Sequence, residues 1–150
     1  VGIDLSARYQ ILSWLYADGD LNVADPKYLD EPEGQNYVPL APPITSIAGL
    51  NVKTKNGITG SLRYRYLGAR PAVEDNSIRA VDYFIMDAVF GYTCKNYQIG
   101  FMAENLLNEY WKETQFATES RLKGEAEAVN EIHYTPGIPF NLRGNFTLFF

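Results

Sequence analysis

The sequence predicts an all-β protein whose long antiparallel strands run up and down as a segment of a transmembrane β-barrel. Three observations carry that expectation. Seven stretches of roughly ten residues alternate apolar and polar side chains at period two, and successive side chains of a strand point to opposite faces. All ten charged residues in those stretches fall on the polar register: Asp4, Arg8, Asp18, Asp20, Lys53, Arg63, Arg65, Asp87, Glu104 and Arg143. The connections alternate strictly between short (12–14, 54–57, 93–96) and long (25–43, 67–81, 106–139). A Lys or Arg facing lipid at the bilayer midplane costs ~2–4 kcal/mol, so a membrane enforces such segregation, and barrels of this type carry short turns at one end and long loops at the other.

Each element follows from its pattern. From Gly2, Ile3, Leu5, Ala7, Tyr9 and Ile11 oppose Asp4, Ser6, Arg8 and Gln10, and after a tight connection Leu15, Ala17, Gly19, Leu21 and Val23 oppose Tyr16, Asp18, Asp20 and Asn22. This is a hairpin. Asp25 to Pro43, rich in Pro, Gly, Asp and Glu, reads as a long polar loop. The third strand sets Ile44, Ser46, Ala48, Leu50 and Val52 against Thr45, Ile47, Gly49, Asn51 and Lys53. Asn56-Gly57 signals a hairpin with a primed turn, which needs positive φ angles. The fourth strand places Ile58, Gly60, Leu62, Tyr64 and Tyr66 outward, with Thr59, Ser61, Arg63 and Arg65 opposite. After a second polar loop, Phe84, Met86, Ala88, Phe90 and Tyr92 form the apolar face of the fifth strand, and Tyr97, Ile99, Phe101 and Ala103 that of the sixth. Leu106 to Pro139 reads as loop with room for a short helix between Lys112 and Asn130. The last strand, Phe140 to Phe150, alternates Phe140, Leu142, Gly144, Phe146, Leu148 and Phe150 with Asn141, Arg143, Asn145, Thr147 and Phe149. A tilted strand crosses a bilayer in ~9–11 residues, which matches that length.

Composition agrees and excludes other classes. No run of about 18 apolar residues exists among the 150, so no transmembrane helix is expected. Aromatics are 14% of residues, eleven of them Tyr, and those near strand ends (Tyr9, Trp14, Tyr66, Tyr92, Tyr97) suit belts at the two membrane–water interfaces. A net charge of −5 argues against a nucleic-acid partner. Cys94 is the single cysteine and His133 the single histidine. Neither has the neighbours that a metal site, a redox pair or a nucleophilic triad requires, so no catalysis, cofactor or metal is expected. A soluble antiparallel sandwich also alternates core-facing and solvent-facing residues, and remains the competing fold.

Particular residues resemble a known family. Ala103-Glu104-Asn105-Leu106-Leu107-Asn108-Glu109-Tyr110-Trp111 is similar to the end of the penultimate strand in TonB-dependent outer-membrane receptors. Tyr134-Thr135-Pro136-Gly137-Ile138-Pro139 followed by a strand ending on Phe is similar to that family's terminus, and SLRYRYLGAR (61–70) and YVPLAPP (37–43) resemble recurrent barrel segments. The resemblance implies that residues 1–150 are the C-terminal part of a 22-stranded barrel, with the plug domain and earlier strands outside the chain. It implies residence in the outer membrane of a Gram-negative bacterium, contact with outer-membrane lipid, and uptake of a scarce small-molecule nutrient such as a ferric siderophore, cobalamin or a carbohydrate. It implies power from the TonB complex through the N-terminal part, and handling by the barrel-assembly machinery through a C-terminal signal at Phe146, Leu148 and Phe150. Competing functions are a passive porin-like channel, a surface-binding or adhesin-like module, and a soluble carbohydrate-binding sandwich.

Candidate ligand-facing residues lie on the polar face: Arg63, Arg65, Asp87, Glu104 and Arg143. Arg63 and Arg65, two apart, could face an anionic ligand in the lumen, or pair with Asp18, Asp20 or Asp87 across the sheet. The acidic groups Asp30, Glu31 and Glu33, and Glu119, Glu125 and Glu127, read as solvated loop faces, with capture of a ligand or divalent cation as the sharper alternative.

Overall fold

A computed structural model describes every residue, Val1 to Phe150. Its frame is one seven-stranded antiparallel sheet. These strands are β1 (Gly2–Leu12), β2 (Leu15–Ala24), β3 (Ile44–Lys53), β4 (Ile58–Leu67), β7 (Tyr83–Thr93), β8 (Tyr97–Glu104) and β11 (Asn141–Leu148). Every neighbour in the sheet is the next long strand in the chain. That is up-and-down topology, and β1 and β11 form its two edges.

The ladder registers test the two-face assignment directly, because residues directly opposite one another project on the same side of a sheet. One row runs Ala17, Leu50, Leu62, Ala88, Ala103 and Leu142 across β2 to β11. Another runs Leu5, Leu21, Ser46, Tyr66 and Phe84, and a third Ile58, Tyr92, Ile99 and Phe146. No charged residue enters these rows, and all ten charged strand residues stay on the other side. Near the short-turn end, Tyr97 sits with its ring centroid 6.1 Å from both Tyr92 and Phe146, an aromatic patch at the height where a membrane interface would lie.

No second sheet covers the apolar face: the long strands make substantial contact only with their ladder neighbours. Only 11 of the 150 residues are buried, far fewer than a sandwich core needs, and the exposed side chains include Leu62, Phe84, Phe90, Phe101, Leu142 and Phe146. The soluble-sandwich alternative therefore fails, for want of a layer to pack against.

The outer segments differ from expectation. The 68–82 connection contains a small hairpin, β5 (Arg70–Pro71) with β6 (Arg79–Ala80), closed by Asp75, whose carboxyl accepts from the Ser77 amide at 3.0 Å and hydroxyl at 2.7 Å. Those two donors hold the Asp75 carboxyl below the ordinary carboxylate range. The 106–139 segment contains no helix. It folds as a hairpin, β9 (Lys112–Ser120) with β10 (Val129–Pro136), which places His133 on a strand rather than in a loop. Both of its faces carry polar residues, so the membrane-type alternation gave no sign of it. The last strand is also shorter than expected: Phe140 lies before it, and Phe149 adds one more backbone bond, to Asn96, beyond it.

The turn between β3 and β4 is not primed. Gly57 alone is left-handed, at φ 86°, and Thr54 N donates to Ile58 O at 2.8 Å, the geometry of a three-residue loop ending on a left-handed residue. Gly57 also accepts from Thr93 N at 2.9 Å, so closely that an added Cβ would lie 1.9 Å from Thr93 O. Gly57→Ala should cost about 1–3 kcal/mol in an unfolding titration of the full-length protein, from strain and from the displaced turn; an unchanged midpoint would show that the turn tolerates a side chain. On β4, Leu62→Arg should reduce the folded fraction in liposomes by the equivalent of ~2–4 kcal/mol. Thr59→Arg, on the opposite face, should leave it near wild type, and equal effects would contradict the lipid-facing assignment.

Candidate functional site

The polar face is a lattice of short side-chain bridges between neighbouring strands. On β1 and β2, Ser6 donates to Asp20 and Asn22 to Asp4, each at 2.5 Å. Arg63 stands directly opposite Asp87 in the ladder, yet it reaches the other way, past β3, to Asp18 at 2.5 Å. Asp18 also accepts from Asn51 at 2.6 Å. Gly49 opens that route: it lies opposite both Arg63 and Asp18, and an added Cβ would sit 3.3 Å from the Arg63 Nε. Asp87 turns instead to Arg65, at 3.3 Å, and accepts the Asn105 amide at 2.9 Å. Farther along, Glu104 accepts from Arg143 and, at 3.2 Å, from Asn141.

The five residues singled out from sequence therefore form three bridges. Arg63 goes to Asp18, Arg65 to Asp87, and Glu104 to Arg143, while Asp20 takes Ser6 instead of an arginine. These pairs are partly exposed, and such bridges contribute at most about 1 kcal/mol each in water. A ligand approaching this face meets Arg63, Arg65 and Arg143 already engaged. No group of three or more His, Cys, Asp or Glu is placed to hold a metal ion.

The outer end of the face is built differently. Asn105 and Asn108 both adopt left-handed backbone, at φ 49° and 53°, a conformation Asn tolerates better than most residues. Asn105 is 2% exposed. Its side-chain Nδ2 donates to Glu109 O (2.8 Å) and Ile138 O (3.0 Å), and its side-chain oxygen accepts from Glu109 N (3.0 Å). Asn108 accepts from Phe140 N at 3.1 Å. Together the two asparagines tie the end of β8 to the start of β11 across the whole β9–β10 excursion. Ile138 O also accepts the indole N–H of Trp111 at 3.0 Å. The Trp111 ring is packed edge-on to Tyr83 at 4.9 Å, with the Arg65 guanidinium 5.9 Å from its centroid. Between these groups lies a cavity of about 150 Å³ walled by Arg65, Ile85, Asp87, Glu104, Asn105 and Glu113, among others.

Three outer segments are laced into one layer above this end. Gln115, 2% exposed, donates to Val81 O and accepts from Val81 N, both at 2.9 Å, imitating a ladder pair between β9 and the residue after β6. Leu40 N donates to Pro71 O at 2.7 Å and Tyr37 N to Glu74 O at 3.1 Å, joining the 25–43 segment to the β5–β6 hairpin.

No family model and no curated protein matches this sequence. Solved structures do match. The chain aligns with the ferric yersiniabactin uptake receptor FyuA from Yersinia pestis at a TM-score of 0.68 and 18% identity, over 99% of its own length. It aligns with the copper transporter OprC at a TM-score of 0.63 and 14% identity, over 95% of its length. The chain has the fold of a TonB-dependent receptor barrel segment. It spans less than a quarter of either protein, 23% of the first and 22% of the second.

Within this barrel segment the Asn105–Asn108 pair gives a physical reason for the AENLLNEYW stretch: its asparagines cap a strand and anchor a loop. Sequence reasoning noted the stretch by resemblance without seeing that role. The burial of Gln115 is not legible in the sequence, since nothing in the polar stretch from Lys112 to Ser120 marks one residue for burial. Asn105→Ala strips a buried amide from three partners and should destabilise the full-length protein by about 2–4 kcal/mol. Asn105→Asp keeps an acceptor but loses both donors, and should also destabilise. Urea titration of both variants checks this, and wild-type stability in either would remove the anchoring role.

Proposed function

We propose that this chain forms part of the wall of an outer-membrane barrel that takes up a scarce nutrient in a Gram-negative bacterium. The observation that carries this reading is the charge-free, mostly apolar register across seven strands, facing away from every strand charge. Lipid is the partner that such a face fits, because a closed barrel leaves no backbone group unpaired in hydrocarbon. The polar face, with Arg63, Arg65, Asp87, Glu104 and Arg143, then lines the interior, and the laced outer segments meet the ligand first.

Likeness to a ferric-chelate receptor and a copper transporter supports uptake powered through TonB, by way of chain outside these residues. The nutrient class stays at a ferric siderophore, cobalamin or a carbohydrate. No enzymatic step and no resident cofactor enter this reading. The edge of β11 carries Phe146 and Leu148 on the apolar face, with Phe150 just beyond it, and is the element the barrel-assembly machinery would engage.

In cells expressing the full-length protein, epitope tags inserted at Glu33, Asn76 or Glu125 should be labelled from outside, and a tag at Asn56 should not. Labelling at Asn56 alone would invert the topology. Growth on the limiting nutrient should depend on both this protein and TonB. Growth that persists without TonB would replace active uptake with a passive, porin-like channel.

A further inference from the structure

Arg70 is the only buried charged residue of the chain. Arg63, Arg65 and Arg143 each hold a carboxylate, and Arg79, on the same small hairpin, donates to Asn76 Oδ1 at 2.6 Å. Arg70 is only 6% exposed, and its flanking and ladder neighbours Pro71, Ala72 and Ala80 are buried and apolar. No hydrogen bond or ion pair reaches its guanidinium. Nη1 is sealed from solvent without an acceptor, whereas Nε and Nη2 are not sealed. Burial pulls the group below its ordinary pKa, with the nearby Tyr83 phenol opposing, but a guanidinium stays charged in proteins. A buried charge without a counter-charge is strongly disfavoured, so this arrangement calls for an anion.

We propose that Arg70 is the seat of an oxyanion, a carboxylate or phosphate group bound side-on by Nε and Nη2. That edge presents two parallel N–H donors at the spacing of two oxygens on one carbon or phosphorus, the geometry in which arginine binds such groups best. The apolar flank lowers the local dielectric and strengthens the pair. Two sources share this chemistry: an anion in solution, such as the acidic group of an incoming ligand, or a carboxylate of protein lying outside these residues. The inference leans on the uptake reading only for how a dissolved anion gains access.

The test is thermal unfolding of the full-length protein in detergent, in citrate, in inorganic phosphate and in chloride at equal ionic strength. Wild type is compared with Arg70→Met and Arg70→Lys. A midpoint about 2 °C or more higher in citrate or phosphate, absent in Arg70→Met, supports capture of a dissolved anion. No anion effect, but a midpoint lowered by a similar amount in Arg70→Met and partly restored in Arg70→Lys, supports a protein carboxylate as the source. An anion effect that survives in Arg70→Met, or a variant as stable as wild type with no anion effect in either, overturns the proposal. Unfolding requires no transport, so this result stands or falls separately from the uptake reading.

Discussion

Charge cannot face hydrocarbon, and in the proposed barrel wall the rest of this structure depends on that constraint. A strand turns its side chains alternately to two faces, so the only freedom left is register, and a slip of one residue exchanges the faces. Slipping β4 by one position would carry Arg63 and Arg65 to the lipid side, at ~2–4 kcal/mol each near the midplane. The ladders instead bring Leu62 opposite Leu50 and Ala88, and Tyr64 opposite Ala48 and Met86. Once that register is set, the polar bridges follow, since every charge is delivered to the same side. They refine the inner face more than they hold it.

The outer segments obey different rules. In the proposed wall they lie beyond the lipid, so alternation no longer matters, and specific hydrogen bonds set the shape. Left-handed Asn105 and Asn108 end β8 and receive β11, while Gln115 pins the β9–β10 hairpin to the chain after β6. Each depends on single side chains with several partners, so a single substitution should cost more there than at any one bridge of the inner face. Arg70 sits in the same layer without a partner of its own.

These rules explain how much could be read in advance. The seven long strands, their faces and the alternation of turn lengths were legible because period two under a lipid constraint leaves a regular mark. The β9–β10 hairpin was not legible, because Glu113, Gln115 and Glu119 on one register and Thr114, Phe116 and Thr118 on the other do not separate by polarity. The Asn56-Gly57 signal located a turn and misjudged its type, since the loop closes over three residues and only Gly57 is left-handed. For the inner face, Arg63, Arg65, Asp87, Glu104 and Arg143 were identifiable as polar-face residues. The choice of Asp18 by Arg63, over the Asp87 directly opposite, required knowing that Gly49 leaves the path open.

The claim that lipid covers one face and water the other is tested most directly by spin labels placed singly at positions 58 to 66 of β4, in the full-length protein in liposomes with Cys94→Ser as background. Collision rates with oxygen, which concentrates in lipid, should peak at 58, 60, 62, 64 and 66. Rates with a polar nickel complex should be high at 59, 61, 63 and 65 wherever the interior admits it, and low at the even positions. Loss of the two-residue period, or its inversion, would contradict the account.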